Sequence, residues 1–140
     1  MMKPQDLMVG DLISMGGVIR VVTGIHDKET KNGVDLITTM IPGHTFPDSN
    51  LSFRASYCYP IQITSEILEK NFREYLPGIN LMYQLKGPYF AMNEEGNQWV
   101  FGLVKEDGEK SCRYPLVKIT YVHELQHALR LCGIKKEIVL

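Results

Sequence analysis

Val9-Gly10-Asp11-Leu12-Ile13-Ser14-Met15-Gly16-Gly17-Val18-Ile19-Arg20-Val21-Val22-Thr23-Gly24-Ile25 is the stretch on which the fold turns. The arm after Gly16-Gly17 is crowded with β-branched residues, which suit a pleated, half-buried strand. Gly16-Gly17 supplies two residues that tolerate the positive φ of a tight hairpin turn. The stretch therefore predicts two short antiparallel strands. Downstream, the charged cluster Asp27 to Gly33, with Asn32-Gly33 inside it, predicts a second turn, and Val34 to Ile41 a third strand. Pro42 to Asn50 is a polar loop with two prolines, and Leu51 to Ile63 returns as a strand. Four short strands joined by such turns predict a small SH3-like β-barrel unit over residues 1–60.

The periodicity then changes. Thr64 is placed to cap a helix, with Ser65 and Glu66 in its first turn, where a carboxylate faces the positive helix end. Ile67, Leu68, Phe72 and Tyr75 fall on one helical face, and Pro77-Gly78 is the expected stop. From Ile79 the period is two. Leu81–Leu85, Tyr89–Met92, Gln98–Val104 and Tyr114–Ile119 read as an antiparallel meander, with turns at Gly87-Pro88, Glu94 to Asn97 and Glu106 to Gly108. Trp99 and Phe101, two apart, share a face and read as core. Val122, Leu125, Leu129 and Cys132 form the stripe of a C-terminal amphipathic helix from about Thr120 to Cys132. Gly133 ends it, and Ile134 to Leu140 is read as a short terminal strand. The predicted class is α+β: an SH3-like unit, a middle helix, a meander and a C-terminal helix. No linker separates residues 1–60 from 61–140, so the two parts are expected to pack as one compact body.

Composition bounds the function. The chain has 140 residues, 44% hydrophobic and 22% charged, with a net charge of -1. That charge gives no global attraction to nucleic acid or an anionic membrane. The three cysteines, Cys58, Cys112 and Cys132, are odd in number and contain no C-x-x-C pair. They indicate neither a disulfide framework nor a zinc knuckle. The N-terminus lacks an apolar signal core and no apolar run is long enough to span a membrane, so the expected setting is cytoplasmic.

One string carries potential chemistry: His123-Glu124-Leu125-Gln126-His127 matches H-E-x-x-H. On a helix, residues four apart share a face, so His123 and His127 could ligate zinc while Glu124 deprotonates the bound water. A catalytic zinc needs a third ligand. The longer form of the motif wants Gly at 130 and His at 133, where this chain has Arg130 and Gly133. Among the 13 residues after His127 the only acid is Glu137. An upstream ligand such as His26, His44 or Cys112 would break the known patterns. The stripe through Leu125 and Leu129 places His123, His127 and Arg130 roughly opposite it, facing water. Elsewhere, Tyr83, Lys86, Tyr89, Phe90, Trp99, Arg113, Tyr114 and Lys118 intersperse aromatics with bases, one way to hold single-stranded nucleic acid. Alternation in a sheet sends about half of them to the core instead. Cys112 beside Arg113 and near Lys110 is a setting that can activate a thiol, but no histidine is near in sequence. No G-x-x-x-x-G-K loop is present.

Pro60-Ile61-Gln62-Ile63-Thr64-Ser65-Glu66-Ile67-Leu68-Glu69-Lys70-Asn71-Phe72 and Ile119-Thr120-Tyr121-Val122-His123-Glu124-Leu125-Gln126-His127, with the opening Asp6-Leu7-Met8-Val9-Gly10-Asp11, resemble one family. It comprises short proteins from phage-like and mobile-element regions of anaerobic gut bacteria. The segment departs from the family pattern at Arg73, where glycine is usual. The resemblance brings no activity, cofactor or catalytic residue. It does imply that Gln is common at the position of Glu124 and that the second histidine is often missing, which a catalytic base and ligand would not tolerate. The expected function is a non-enzymatic accessory or interaction protein of such an element, binding a protein or nucleic acid, with no cofactor. The alternative is a zinc-dependent hydrolase using His123, Glu124 and His127.

Overall fold

The computed structural model describes residues 2, 6–26, 36–42, 51–76 and 82–140. The predicted turn at Asp27 to Gly33, most of the loop at Pro42 to Asn50 and the stop at Pro77-Gly78 lie outside the described residues. The chain is α+β and divides into two compact units, Met1–Ile61 and Gln62–Leu140.

In the first unit, β1 (Leu12–Met15), β2 (Val18–His26), β3 (Leu36–Met40) and β4 (Leu51–Arg54) form an antiparallel sheet in sequential order. β1 and β2 are joined by Gly16-Gly17, both with positive φ (56° and 80°), so that Met15 pairs with Val18 across a two-residue turn. A bulge between Val22 and Gly24 bends β2. The sheet curls into a half-barrel. Tyr59, beyond β4, donates its N–H to Ser14 O (2.8 Å) and accepts from Ser14 N (2.9 Å), so the far end of the unit bridges back to β1.

The predicted single strand from Leu51 to Ile63 is broken. β4 stops at Arg54 and Ala55–Tyr57 is one 3₁₀ turn. Ala55 and Cys58 are both buried and three apart. A helix of three residues per turn puts them on one side, which an extended strand cannot do. They join Met2, Leu7, Ile13, Val22 and Ile37 in the unit's apolar cluster.

In the second unit, α1 (Ser65–Asn71) is followed by a five-stranded antiparallel sheet, β5 (Arg73–Leu76), β6 (Met82–Gln84), β7 (Tyr89–Glu95), β8 (Gln98–Asp107) and β9 (Lys110–Ile119), again in sequential order. α2 (Val122–Leu131) follows. Thr64 caps α1 as expected, its Oγ1 accepting from Ile67 N at 3.3 Å. The helix nevertheless ends before Phe72, which is extended, and the chain from Arg73 is a strand. Asn71 explains the early end. Its amide donates to Ile67 O (2.8 Å), a side-chain competitor for the helical ladder. It also donates to Val139 O (2.7 Å) and accepts from Val139 N (2.7 Å). Residues 132–140 form no strand, in contrast to the prediction; this side-chain clamp holds the tail where a ladder was expected.

The meander is longer than its sequence pattern indicated. Gly96 and Gly108 (φ 58° and 62°) each open a two-residue turn, so pairing runs right up to Glu95–Gln98 and Asp107–Lys110. β8 and β9 therefore continue past β7, whose last partner on β8 is Leu103. One face of this sheet carries Tyr83, Ala91, Phe101 and Val117 in register. Trp99 and Phe101 are buried there as predicted, and Tyr83 donates to Glu69 of α1 (3.1 Å).

Candidate functional site

α2 positions the H-E-x-x-H string, and its two ends explain most of what the string does. At the C-terminal end Gly133 (φ 73°) donates to Arg130 O (3.0 Å) and Ile134 to Leu129 O (2.8 Å), the paired bonds of a Schellman stop. At the N-terminal end Tyr121 is the cap residue, which makes Glu124 the third helical position. The Glu124 carboxylate receives the backbone N–H groups of Thr120 and Tyr121. A Glu or Gln at this position reaching back to the cap is half of a capping box. Glu124 is thus engaged with its own helix start. Burial raises its pKa, while those two backbone N–H groups and His127 pull it down by less.

The histidines are not where the stripe placed them. His123 was expected to face water; it is 7% exposed, and Gln126 is buried as well. Val122, His123, Leu125, Gln126, Ala128 and Leu129 are all buried, so α2 is covered around much more than the narrow face of its leucines. The His123 ring lies parallel to Tyr121 with centroids 5.8 Å apart, and meets His127 edge-on at 5.6 Å. That stack covers part of a residue read as solvated: an imidazole carries apolar faces that pack well against a phenol ring. His127 is half-buried.

Among the described residues, no three His, Cys, Asp or Glu side chains gather closely enough to hold a metal ion. Cys112 is exposed on β9 opposite Lys105, and Glu137 is exposed in the tail. His44 and the side chain of His26 lie outside the described residues. No family model, curated protein or solved structure matches this chain.

The aromatic and basic residues of the second unit are sorted by the sheet. Tyr83, Phe90, Trp99 and Phe101 are buried, and Tyr89 stacks on Phe101 with centroids 5.6 Å apart. The Tyr89 hydroxyl is held above its ordinary pKa, first by its hydrogen bond with Cys132. Most rings of that predicted row are therefore core, while Lys86, Arg113, Tyr114 and Lys118 are exposed. What the sequence did not single out is the apolar exposure along β9. Every residue from Lys110 to Lys118 is exposed, among them Tyr114 (48%), Leu116 (52%) and Val117 (47%). In the first unit Arg20, a candidate surface residue by type, is buried, with Nε donating to Thr39 Oγ1 at 2.7 Å. Arg20 also lies over the Phe53 ring at 5.6 Å. Among the described residues, no helix is long and apolar enough to cross a membrane.

Proposed function

We propose that this chain is a non-enzymatic interaction protein, an accessory of a phage-like or mobile element, and that it works by binding another protein through β9. The observation that carries the reading is the exposure of Tyr114, Leu116 and Val117 along one edge strand. Among the described strands β9 is a sheet edge, and large apolar side chains on such an edge are what proteins in water normally avoid, because it templates association. A protein partner is favoured over nucleic acid because Tyr83, Phe90 and Trp99, which would have supplied the stacking platform, are core residues.

The mobile-element assignment rests on the resemblance of the segments Pro60–Phe72 and Ile119–His127. For the first unit we propose an SH3-like barrel. The sequential four-stranded order, the 3₁₀ turn after β4 and the return of Tyr59 to β1 support it. The test is affinity capture with the full chain in its native cells, comparing wild type with Leu116→Asp and Val117→Asp. The expected result is a nuclease-resistant protein partner that both variants lose while their thermal unfolding is unchanged. Equal capture by wild type and both folded variants would overturn the assignment to β9.

A further inference from the structure

Resting on the reading of β9 as the interaction surface, we infer that the protein it receives is a second copy of this chain, the two β9 strands pairing antiparallel about a two-fold axis at Cys112. A two-fold contact must be complementary to itself. Like charges brought opposite each other, or a missing donor, forbid it in most registers. On β9 one register escapes both.

The backbone sets which registers exist. Asp107 and Lys110 flank the two-residue turn Gly108-Glu109, so they form a hydrogen-bonded pair, and such pairs alternate along the hairpin. Lys110, Cys112 and Tyr114 therefore turn their N–H and C=O groups toward β8. Ser111 and Arg113 turn theirs to the free edge. The next outward position is Pro115, opposite Gly102. Two antiparallel edges bond only where outward positions face each other. Within Lys110–Tyr114 that leaves axes at Ser111, Cys112 or Arg113.

The residues set opposite each other choose among these. An axis at Arg113 opposes Arg113 to itself and Ser111 to Pro115, which has no N–H to give. An axis at Ser111 opposes Ser111 to itself and carries Arg113 out to Glu109, in the turn of the other copy, where no strand continues. The axis at Cys112 opposes Ser111 to Arg113 on both sides. Every outward N–H and C=O between Lys110 and Tyr114 is then paired. The other opposites are Cys112 with itself and Lys110 with Tyr114, a lysine stem along a ring. No like charges meet. Pro115 falls beside the other copy's turn, past the end of the ladder, where its missing donor does no harm. Exposed Leu116 comes beside Gly108 of that same turn. Arg113 enters through its backbone alone, because its guanidinium lies over the sulfurs of Met82 and Met92 at 3.7 Å.

Sedimentation of the full chain under reducing conditions tests this. The expected result is a monomer–dimer equilibrium that shifts with concentration, with amide exchange at Ser111 and Arg113 slowing as the dimer forms. Ser111→Pro removes an outward donor without touching a bond to β8, and is expected to weaken the dimer about tenfold. Tyr114→Lys, which sets lysine opposite Lys110, is expected to weaken it to a similar degree. The axis is read with diamide, which takes two electrons and two protons from the facing Cys112 thiols and becomes the hydrazine, leaving a disulfide between copies. Directly opposed residues of a strand pair lie within disulfide reach, and peptide mapping identifies the bond. The double variant Ser111→Cys, Cys112→Ser sets its thiols opposite Arg113 and is expected not to cross-link. If a variant misfolds, the wild-type sedimentation, exchange and cross-link decide alone. Cross-linking through position 111 in place of 112 would overturn the inferred axis. A chain that stays monomeric up to its solubility limit, or a dimer that leaves β9 unprotected, would overturn the inference outright. Capture of a different protein that Leu116→Asp loses would then leave the interaction reading standing, and no capture at all would end both.

Discussion

Glu124 shows how one residue can satisfy two patterns that mean different things. As the second letter of H-E-x-x-H it reads as a general base; as the third residue of α2 it receives the N–H groups of Thr120 and Tyr121 and closes the helix start. Only the second role requires nothing beyond its own helix, and Gln can fill it. Glu124→Gln is therefore expected to leave stability at pH 7 within about 0.5 kcal/mol of wild type. Glu124→Ala, which loses the cap, is expected to lose about 0.5–1 kcal/mol. The pH dependence separates them further. Burial raises the Glu124 pKa above its ordinary value, so the folded state binds that proton more tightly than the unfolded state. Stability then falls as pH rises from the ordinary carboxylate range through the raised value, and the charge no longer matters below that window. The Gln variant should gain on wild type across that window and not below it, as denaturant midpoints at a series of pH values would show. The expected zinc content is well below one equivalent and unchanged by His127→Ala, read by elemental analysis. A full equivalent that the variant loses would restore the hydrolase reading.

At the scale of elements, the residues that punctuate the chain were legible because each acts locally. Gly16-Gly17, Gly96, Gly108 and Gly133 sit in the positive-φ turns and stops that their types predict, and Thr64 caps α1. What was not legible depended on distant partners. Asn71 ends α1 by gripping Val139, which lies 68 residues away. β5 exists because Arg73 and Glu74 find Gln84 and Tyr83. His123 is enclosed because α2 is covered on several sides, which a single apolar stripe cannot foretell. Gly102 belongs with these: nothing in its neighbourhood marks it, yet a Cβ there would run into the Tyr114 carbonyl and lie 2.8 Å from Phe90 Cζ. The Phe90 ring occupies the space a side chain would take, at the bulge where Phe101 and Gly102 shift register against β9. Gly102→Ala is expected to cost about 1–3 kcal/mol, the usual penalty for forcing atoms into a filled site. The single tryptophan, Trp99, is buried on the same strand, so its fluorescence during denaturant unfolding reads the effect directly. An unchanged midpoint would mean that Phe90 does not fill that space.

At the scale of the molecule, a length of 140 residues was compatible with one domain or two very small ones, and the chain divides at Ile61. The consequence is energetic. A unit the size of Met1–Ile61 buries a modest fraction of its surface, and a core that small supplies only about 3–5 kcal/mol of net stability. Among the described residues, Ile13, Val22, Ile37 and Cys58 form the fully buried centre of its apolar cluster. Burial also pushes the Cys58 thiol above its ordinary pKa, so it is a packing residue there rather than a nucleophile. Removing a buried isoleucine down to alanine costs about 2–5 kcal/mol, the transfer term plus the cavity. Set against so small a margin, Ile13→Ala should cost the first unit most of its stability, whereas the same change in a larger core would be tolerated. The expected outcome is loss of amide-exchange protection along β1, β2 and β3, and rapid thiol labelling of Cys58, which in wild type should label far more slowly than exposed Cys112. Persistence of both protections in the variant would show that the unit draws its stability from something other than this cluster. The buried hydrogen bond from the Arg20 guanidinium to the Thr39 hydroxyl would then be the next place to cut, because losing a buried hydrogen bond to a charged group costs about 1–3 kcal/mol.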